Sequence, residues 1–309
     1  MKKLSIATPF FLSLVLIFVS CGPSTFHESG KIKKKSYLNS SYSEFEAIEN
    51  HCGLWTDRQS QNQIHYCIKI GNNPSGRPLY VFHGMGGNEV AICEKMVSDP
   101  QALKSAGYIS HMICPSFGSQ WVIHKNGREA SFKRFQSFIQ EEYLNGVEQI
   151  PILYGQSMGG FNALKISGFR NPSEKRFHKV VAACPAIFSD RLDRFIGWTS
   201  ELLANYLLAS TFHGLDPKTS IAIIQNSPYF DRDFNYPDLL LMPNQQDPVG
   251  IIHQSFSIFG QIHLSGIYRG ALNFYHELLN RHQSVEIQEL PGGHCAEIPM
   301  QKVFQFLGR

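Results

Sequence analysis

The sequence lacks several features that mark common classes of binding protein. Charged residues make up only 17% of the 309 residues, and 28 basic against 25 acidic side chains leave a net charge of +3. We therefore expect no nucleic acid partner, because such proteins usually present a strongly basic surface. No Cys-x-x-Cys pair is present, which argues against zinc and thioredoxin-like sites. The glycine-rich segment 84–87 is not followed by Lys-Ser/Thr, as a phosphate-binding loop would be.

Long apolar runs are scarce, and the clearest one extends from Phe10 to Val19. It is short for a permanent membrane span, and two lysines precede it, as in an export signal. The following Ser20 and Cys21 resemble the lipobox of bacterial lipoproteins, with Phe18 where leucine is usual. We expect a signal peptide at 1–20, a lipid on Cys21, and an exported protein anchored to a bacterial membrane on its periplasmic or cell-surface side. Secretion without a lipid is the alternative.

The chain changes character after the cysteine. Residues 21–43 are rich in serine, glycine and lysine and show no apolar periodicity, which predicts a flexible tether. Residues 44–309 are long enough for one large domain with a sizeable core. The sequence therefore predicts one large domain at the end of a flexible linker, with a lipid bilayer as the partner of the anchor.

Six cysteines follow Cys21, and in an oxidising compartment some of them are expected to pair. Cys52 and Cys67 flank a predicted hairpin and are the first candidate disulfide. Cys93 and Cys114 are the second. The connectivity of the six stays open at this stage, because spacing alone does not determine it.

Strand-like and helical segments alternate along the domain. The predicted strands are 64–70, 78–82, 109–114, 150–154, 180–184, 239–242 and 285–290, and the predicted helices are 131–144, 161–169 and 268–281. This alternation predicts an α/β fold, with a mainly parallel central sheet and helices on both faces. The stretch at about 188–236 is longer than one connecting helix requires, and we expect a helical cap over the site there. A packing layer away from the substrate is the alternative.

The segment Gly155-Gln156-Ser157-Met158-Gly159 lies between a predicted strand and a predicted helix. A sharp strand-to-helix turn strains the central residue and leaves no space for side chains two positions before and after it. The pattern G-x-S-x-G is weak by itself, but this context makes it a strong indication. We expect Ser157 to be a nucleophile presented above the edge of the sheet.

A serine hydroxyl needs a base and a group that orients the base. In an α/β-hydrolase the chain order is serine, acid, histidine. Asp247 and His294 each follow a predicted strand, at the edge where open α/β sheets assemble their sites. They are the candidate acid and base, and Asp231, Asp233 and Asp238 are the alternative acids.

Stabilising a tetrahedral intermediate requires two N–H groups aimed at one point. Met158 follows the nucleophile and supplies one of them. We assign the second to Met85 in the glycine-rich loop, with Gly86 as the alternative. His83 is expected to support this loop by hydrogen bonding. The mechanism requires no cofactor and no metal.

Four stretches together resemble an esterase family of the α/β-hydrolases. They are YVFHGMGGNE at 80–89, YGQSMGGFNAL at 154–164, AACPAIF at 182–188 and ELPGGH at 289–294. That family includes S-formylglutathione hydrolase (esterase D), feruloyl esterase domains and the mycolyltransferases of the antigen 85 complex. The resemblance implies an α/β-hydrolase fold and a serine esterase that acts on a small-molecule or glycan-linked ester.

The sequence departs from the family directly after the histidine. Family members often carry an aromatic residue there, whereas Cys295-Ala296-Glu297 follow here, so the pocket wall beside the base is not carried over. An acyltransferase or a peptidase with the same triad remains an alternative. A non-catalytic surface-binding lipoprotein is an alternative from a different class.

Overall fold

The computed structural model describes residues 51–71, 73–98, 104–118, 120–122, 127–144, 146–189, 222–247, 252–256, 260–264 and 266–309. The predicted signal peptide, Cys21, the tether at 21–43 and most of the predicted cap lie outside these residues. Within the described ranges, no helix is long and apolar enough to cross a membrane.

The elements described in full are ten strands and five α-helices. The strands are β1 (His51–Thr56), β2 (Gln63–Ile70), β3 (Arg77–Phe82), β4 (Ile109–Ser116), β5 (Ile152–Gln156), β6 (Lys179–Ala183), β7 (Asp238–Met242), β8 (Ile252–Phe256), β9 (Gly260–Leu264) and β10 (Val285–Ile287). The helices are α1 (Glu89–Val97), α2 (Arg128–Glu142), α3 (Met158–Ser167), α4 (Ile267–Asn280) and α5 (Met300–Gly308), with short 3₁₀ turns at Pro172–Glu174 and Pro228–Phe230.

Eight strands form one sheet in the order β1-β2-β4-β3-β5-β6-β7-β10, while β8 and β9 form a separate antiparallel hairpin. The strands from β4 to β10 in this order run parallel to one another, and β2 is antiparallel to both β1 and β4. Parallel neighbours bring their carboxyl ends to the same edge, which is where open α/β sheets place their sites. The predicted mainly parallel sheet is confirmed.

Helices cover both faces of this sheet because its strands alternate between two cores. On β3, Leu79 and Val81 belong to the cluster that contains the buried residues of α1 and α5. Tyr80 and Phe82 point to the other face and join residues of α2, α3 and α4. Such two-sided burial explains why these strands read as continuous apolar runs. The chain has an α/β-hydrolase fold, as predicted.

The predicted element bounds differ from the observed ones for local reasons. The predicted strand at 150–154 begins at Ile152 instead, because Ile150 is exposed and Pro151 has no N–H to donate to the ladder. The last strand was predicted to reach Leu290 but ends at Ile287, and Leu290 forms an isolated parallel bridge with Asn244. Helices α1 and α5 and the β8–β9 hairpin were not predicted.

The predicted cap at about 188–236 is described only at its ends. Residues 222–225 are helical. The backbone N–H of Phe188 donates to the Ser227 hydroxyl at 2.9 Å, so the beginning and end of this excursion meet. The helical character of its central part, residues 190–221, stays a prediction.

Candidate active site

The turn between β5 and α3 holds Ser157 in an unusual backbone conformation. Its φ of 57° lies in the left-handed region, which is rare for residues other than glycine. The Ser157 N–H donates to the carbonyl oxygen of Ala183 on β6 at 2.9 Å. A Cβ on Gly159 would lie 2.3 Å from the carbonyl oxygen of Phe82, so the helix start packs directly on β3. These contacts fix the turn at Ser157 against two strands.

The three side chains predicted as a triad meet at the carboxyl edge of the sheet. Ser157 Oγ lies 2.7 Å from His294 Nε2, and His294 Nδ1 lies 2.6 Å from Asp247 Oδ2. Both distances are those of hydrogen bonds. The sequence separations are 137 and 47 residues, so only the fold brings these groups together.

Burial differs sharply along this chain of hydrogen bonds. The Asp247 side chain is 1% exposed, whereas the His294 side chain is 28% exposed. A carboxylate accepts hydrogen bonds, so Nδ1 carries the proton and Nε2 is free to accept one from the Ser157 hydroxyl. This arrangement can remove a proton from Ser157 and stabilise the imidazolium that results.

The alternative acids lie elsewhere. Asp238 is the first residue of β7 and therefore sits at the opposite end of the strand from the site. Asp231 forms an ion pair with Lys165 at 2.5 Å, and Asp233 is exposed. Of the four aspartates considered, Asp247 contacts the histidine.

The glycine-rich loop after β3 lies beside Ser157. A Cβ on Gly84 would come 3.3 Å from Ser157 Cβ and 3.8 Å from its Oγ. The Gly87 N–H donates to the Gly84 carbonyl at 3.1 Å, and Gly86 has a φ of 78°, which together make a tight turn with Met85 at its exposed second position. On the other side of Ser157, Met158 opens α3, where the first N–H groups have no partner within the helix.

His83 lies beneath this loop and holds it in place. Its Nδ1 is 2.6 Å from the Gly84 carbonyl oxygen, and its Nε2 is 2.6 Å from the Ser116 hydroxyl. A carbonyl only accepts, so Nδ1 donates and Nε2 accepts from Ser116. Burial lowers the pKa of His83, which favours the neutral ring that this pattern requires.

Sequence reasoning missed Asn244, which is 1% exposed in the loop between β7 and Asp247. Its amide nitrogen donates to the carbonyl oxygens of Pro291 and Ala296, both at 3.0 Å. Its side-chain oxygen accepts from the Cys295 N–H at 3.1 Å. All three contacts are to the loop that carries His294. Nothing in the sequence marks them, since they join segments about fifty residues apart.

Three disulfides are present among the described residues: Cys52–Cys67, Cys93–Cys114 and Cys184–Cys295. The first two are the pairs selected from the sequence. The third joins the residue after β6 to the residue after His294, at a sequence separation of 111. No local pattern connects two cysteines at that separation.

One group of side chains near the base has the composition of a metal site. The Sγ atoms of Cys184 and Cys295 and a ring nitrogen of His294 lie within 4.8 Å of one another. The two sulfurs are bonded to each other, however, and a disulfide offers no thiolate to a metal. The arrangement therefore acts on the histidine loop as a covalent link.

No protein-family model matches the chain, and no curated protein is significantly similar to it in sequence. Solved structures do resemble it. S-formylglutathione hydrolase from Staphylococcus aureus matches with a TM-score of 0.55 and 13% identity, over 88% of this chain and 100% of that one. A ferulic acid esterase matches with a TM-score of 0.55 and 16% identity, over 84% of this chain and 96% of that one. Serine hydrolase F of Staphylococcus aureus, which binds fluorophosphonates, matches with a TM-score of 0.52 and 13% identity, over 84% of this chain and 98% of that one. At these identities the likeness shows the shared fold.

Proposed function

We propose that the protein is a serine hydrolase that cleaves carboxylic esters through an acyl-enzyme. The observation that carries this proposal is the unbroken series of hydrogen bonds from Ser157 Oγ through His294 to the buried Asp247 carboxylate. A serine, a histidine and an acid in this order activate a hydroxyl for attack on an acyl carbon. The similarity in fold to a ferulic acid esterase and to S-formylglutathione hydrolase supports the same class of reaction.

In the first half of the reaction, Ser157 Oγ bonds to the acyl carbon while its proton moves to His294 Nε2. His294 then returns the proton to the leaving alcohol as the ester bond breaks, which leaves the acyl group on Ser157. In the second half, water attacks the acyl carbon, His294 takes its proton, and Ser157 recovers that proton as the acid departs. Asp247 orients the ring throughout.

The negative charge of the tetrahedral intermediate needs donors that are already in place. We assign the backbone N–H groups of Met85 and Met158 to this role, with Gly86 as the alternative to Met85. The glycine-rich loop lies against Ser157, and Met158 begins α3 directly after it. Removing one donor of this kind from a hydrolase lowers kcat by about 10²–10³-fold.

A fluorophosphonate probe and a short p-nitrophenyl ester test this function on the purified protein. We expect one covalent adduct on Ser157 and ester hydrolysis that falls by at least about 10³-fold in Ser157→Ala. Ser137→Ala, on the exposed side of α2, is the matched control and should retain the wild-type rate. A wild-type protein that is folded but forms no adduct would instead be a non-catalytic binding protein. Product analysis with a competing alcohol separates hydrolysis from acyl transfer.

We also propose that the domain works outside the cytoplasm, attached to a membrane by a lipid on Cys21. The three disulfides support an oxidising compartment, because such bonds rarely persist in the cytosol. Intact-mass measurement of the protein from its native host tests the anchor. The expected mature chain begins at Cys21 and carries acyl groups, and an unmodified N-terminus there would refute the anchor.

A further inference from the structure

The geometry points to a positioning function for the Cys184–Cys295 disulfide and the Asn244 side chain: together they hold His294 at the distances that its reaction needs. This inference rests on the function proposed above. Both groups are attached to the histidine loop at residues 290–297, which we term the base loop, and act through it.

The disulfide closes a ring of contacts on the Ser157–His294 pair. The Ser157 N–H is bonded to the carbonyl of Ala183, and Cys184 is the next residue. The disulfide connects Cys184 to Cys295, which follows His294 directly. The hydrogen bond between His294 Nε2 and Ser157 Oγ, at 2.7 Å, completes the ring. The nucleophile and the base are therefore linked through a short path that contains one covalent cross-link and one backbone hydrogen bond.

Asn244 closes a second ring, on the His294–Asp247 pair. It lies three residues before Asp247, and the Asp247 N–H donates to its carbonyl oxygen at 3.2 Å. The same residue's side chain binds the base loop on both sides of His294, through Pro291 and through Cys295 and Ala296. Because Asn244 is buried, these three hydrogen bonds do not compete with bulk water.

The base loop needs such support after His294, because the backbone hydrogen bonds that join it to the loop after β7 involve Leu290 and Gly292, which precede the histidine. It follows β10, an edge strand of three residues that pairs only with β7 among the described strands. Cys295 and Glu297 have φ values of 55° and 53°, a conformation that residues other than glycine adopt only when their surroundings impose it. The disulfide reaches past β7 to the end of β6, next to the nucleophile turn. A misplacement of about 1 Å in a catalytic group can lower the rate by about 10²-fold.

Steady-state kinetics on three variants of the full chain tests the inference. We expect Cys184→Ser/Cys295→Ser and Asn244→Ala each to lower kcat for a p-nitrophenyl ester by about 10–100-fold, with KM within about twofold of wild type. Cys52→Ser/Cys67→Ser is the matched control, because it removes a disulfide from the β1–β2 hairpin. It should lose stability as any such variant does but retain kcat.

Proton NMR adds a readout that a purely structural role would not change. The strongly deshielded proton that His294 Nδ1 shares with Asp247 should be sharp in wild type and in the hairpin control, and broadened or lost in the two base-loop variants. If the double cysteine variant does not fold, Asn244→Ala decides the question, since it keeps all three disulfides. Wild-type kcat in folded Asn244→Ala, or in the folded double variant, would overturn the inference.

Failure of the proposed function has a different signature. In that case wild type itself would form no fluorophosphonate adduct on Ser157. If wild type is labelled and the variants are labelled equally fast, the proposed serine hydrolase is supported and only the positioning role is refuted.

Discussion

A Cβ atom on Gly155 would lie 2.1 Å from the carbonyl oxygen of Gly159, a separation that real Cβ contacts do not show. The two glycines stand on the strand side and the helix side of Ser157. The backbone therefore passes so close to itself at this turn that the side chain of any other residue would force the turn open. The spacing of the glycines is thus a requirement of backbone geometry, independent of any substrate.

Gly155→Ala should consequently disrupt both folding and activity. We expect a loss of about 2–4 kcal/mol in the free energy of unfolding, because the nearest atoms are backbone and cannot rotate away. Urea unfolding followed by tryptophan fluorescence measures it. Gly146→Ala is the control, since a Cβ there meets nothing within 4 Å and only its φ of 86° is unfavourable. Equal losses in the two variants would contradict the steric explanation.

Asp247→Asn should preserve the fold and remove most of the activity. An amide in place of the buried carboxylate cannot stabilise the imidazolium and permits the wrong tautomer of His294, so we expect kcat to fall by about 10³–10⁴-fold. Asp233→Asn, at an exposed position in the same part of the chain, should retain wild-type kcat. Activity in Asp247→Asn close to wild type would remove Asp247 from the proposed triad.

His83→Asn should weaken both the glycine-rich loop and its resistance to acid. Burial lowers the pKa of His83 below its unfolded value of about 6.5. Its share of stability is therefore present above about pH 6.5 and is lost as the pH falls through the lowered folded-state pKa. The unfolding free energies of wild type and variant should differ most near neutral pH and converge at acid pH. A difference independent of pH would show that His83 acts by packing alone.

Asp57→Asn should destabilise the protein without altering the site chemistry. The Arg134 guanidinium contacts both oxygens of this buried carboxylate and holds its pKa well below the ordinary range, with help from Ser60 and Ser131. We expect a loss of about 2–3 kcal/mol at neutral pH. The difference from wild type should shrink as the pH falls below about 4 through the lowered folded-state pKa, where wild type also protonates.

Glu286→Gln is the control for that measurement. Its ion pair with Arg309 is exposed on both sides. Exposed pairs of this kind contribute at most about 1 kcal/mol, so a loss in Glu286→Gln as large as that in Asp57→Asn would show that burial is not what makes the Asp57 pair matter.

The central part of the fold could be predicted because its strands are marked by the hydrophobicity of short, continuous sequence segments. Strands such as β3 and β7 are continuous apolar runs, and the order of Ser157, Asp247 and His294 along such strands already places them at one edge. The helix α5 also carried a readable signal, since Met300, Val303, Phe304 and Leu307 recur at helical spacing and are buried.

The supports of the base loop could not be predicted in this way. The Cys184–Cys295 link spans 111 residues, and six cysteines allow fifteen pairings. Asn244 is one polar residue among several in a loop, and only the three-dimensional arrangement shows which backbone groups it binds. Both act between segments whose proximity results from the order of β6, β7 and β10 in the sheet.

The positions of Ser157, His294 and Cys295 along the chain have a consequence for the protein during its synthesis. Ser157 is made 137 residues before His294, and the cross-link partner of Cys184 comes one residue later still. Synthesis proceeds from the N-terminus, so nascent chains of 157 to 293 residues contain Ser157 and lack His294, the proposed base. Under the proposed mechanism, copies that end before His294 are inert, and reactivity arises only after that residue has been added.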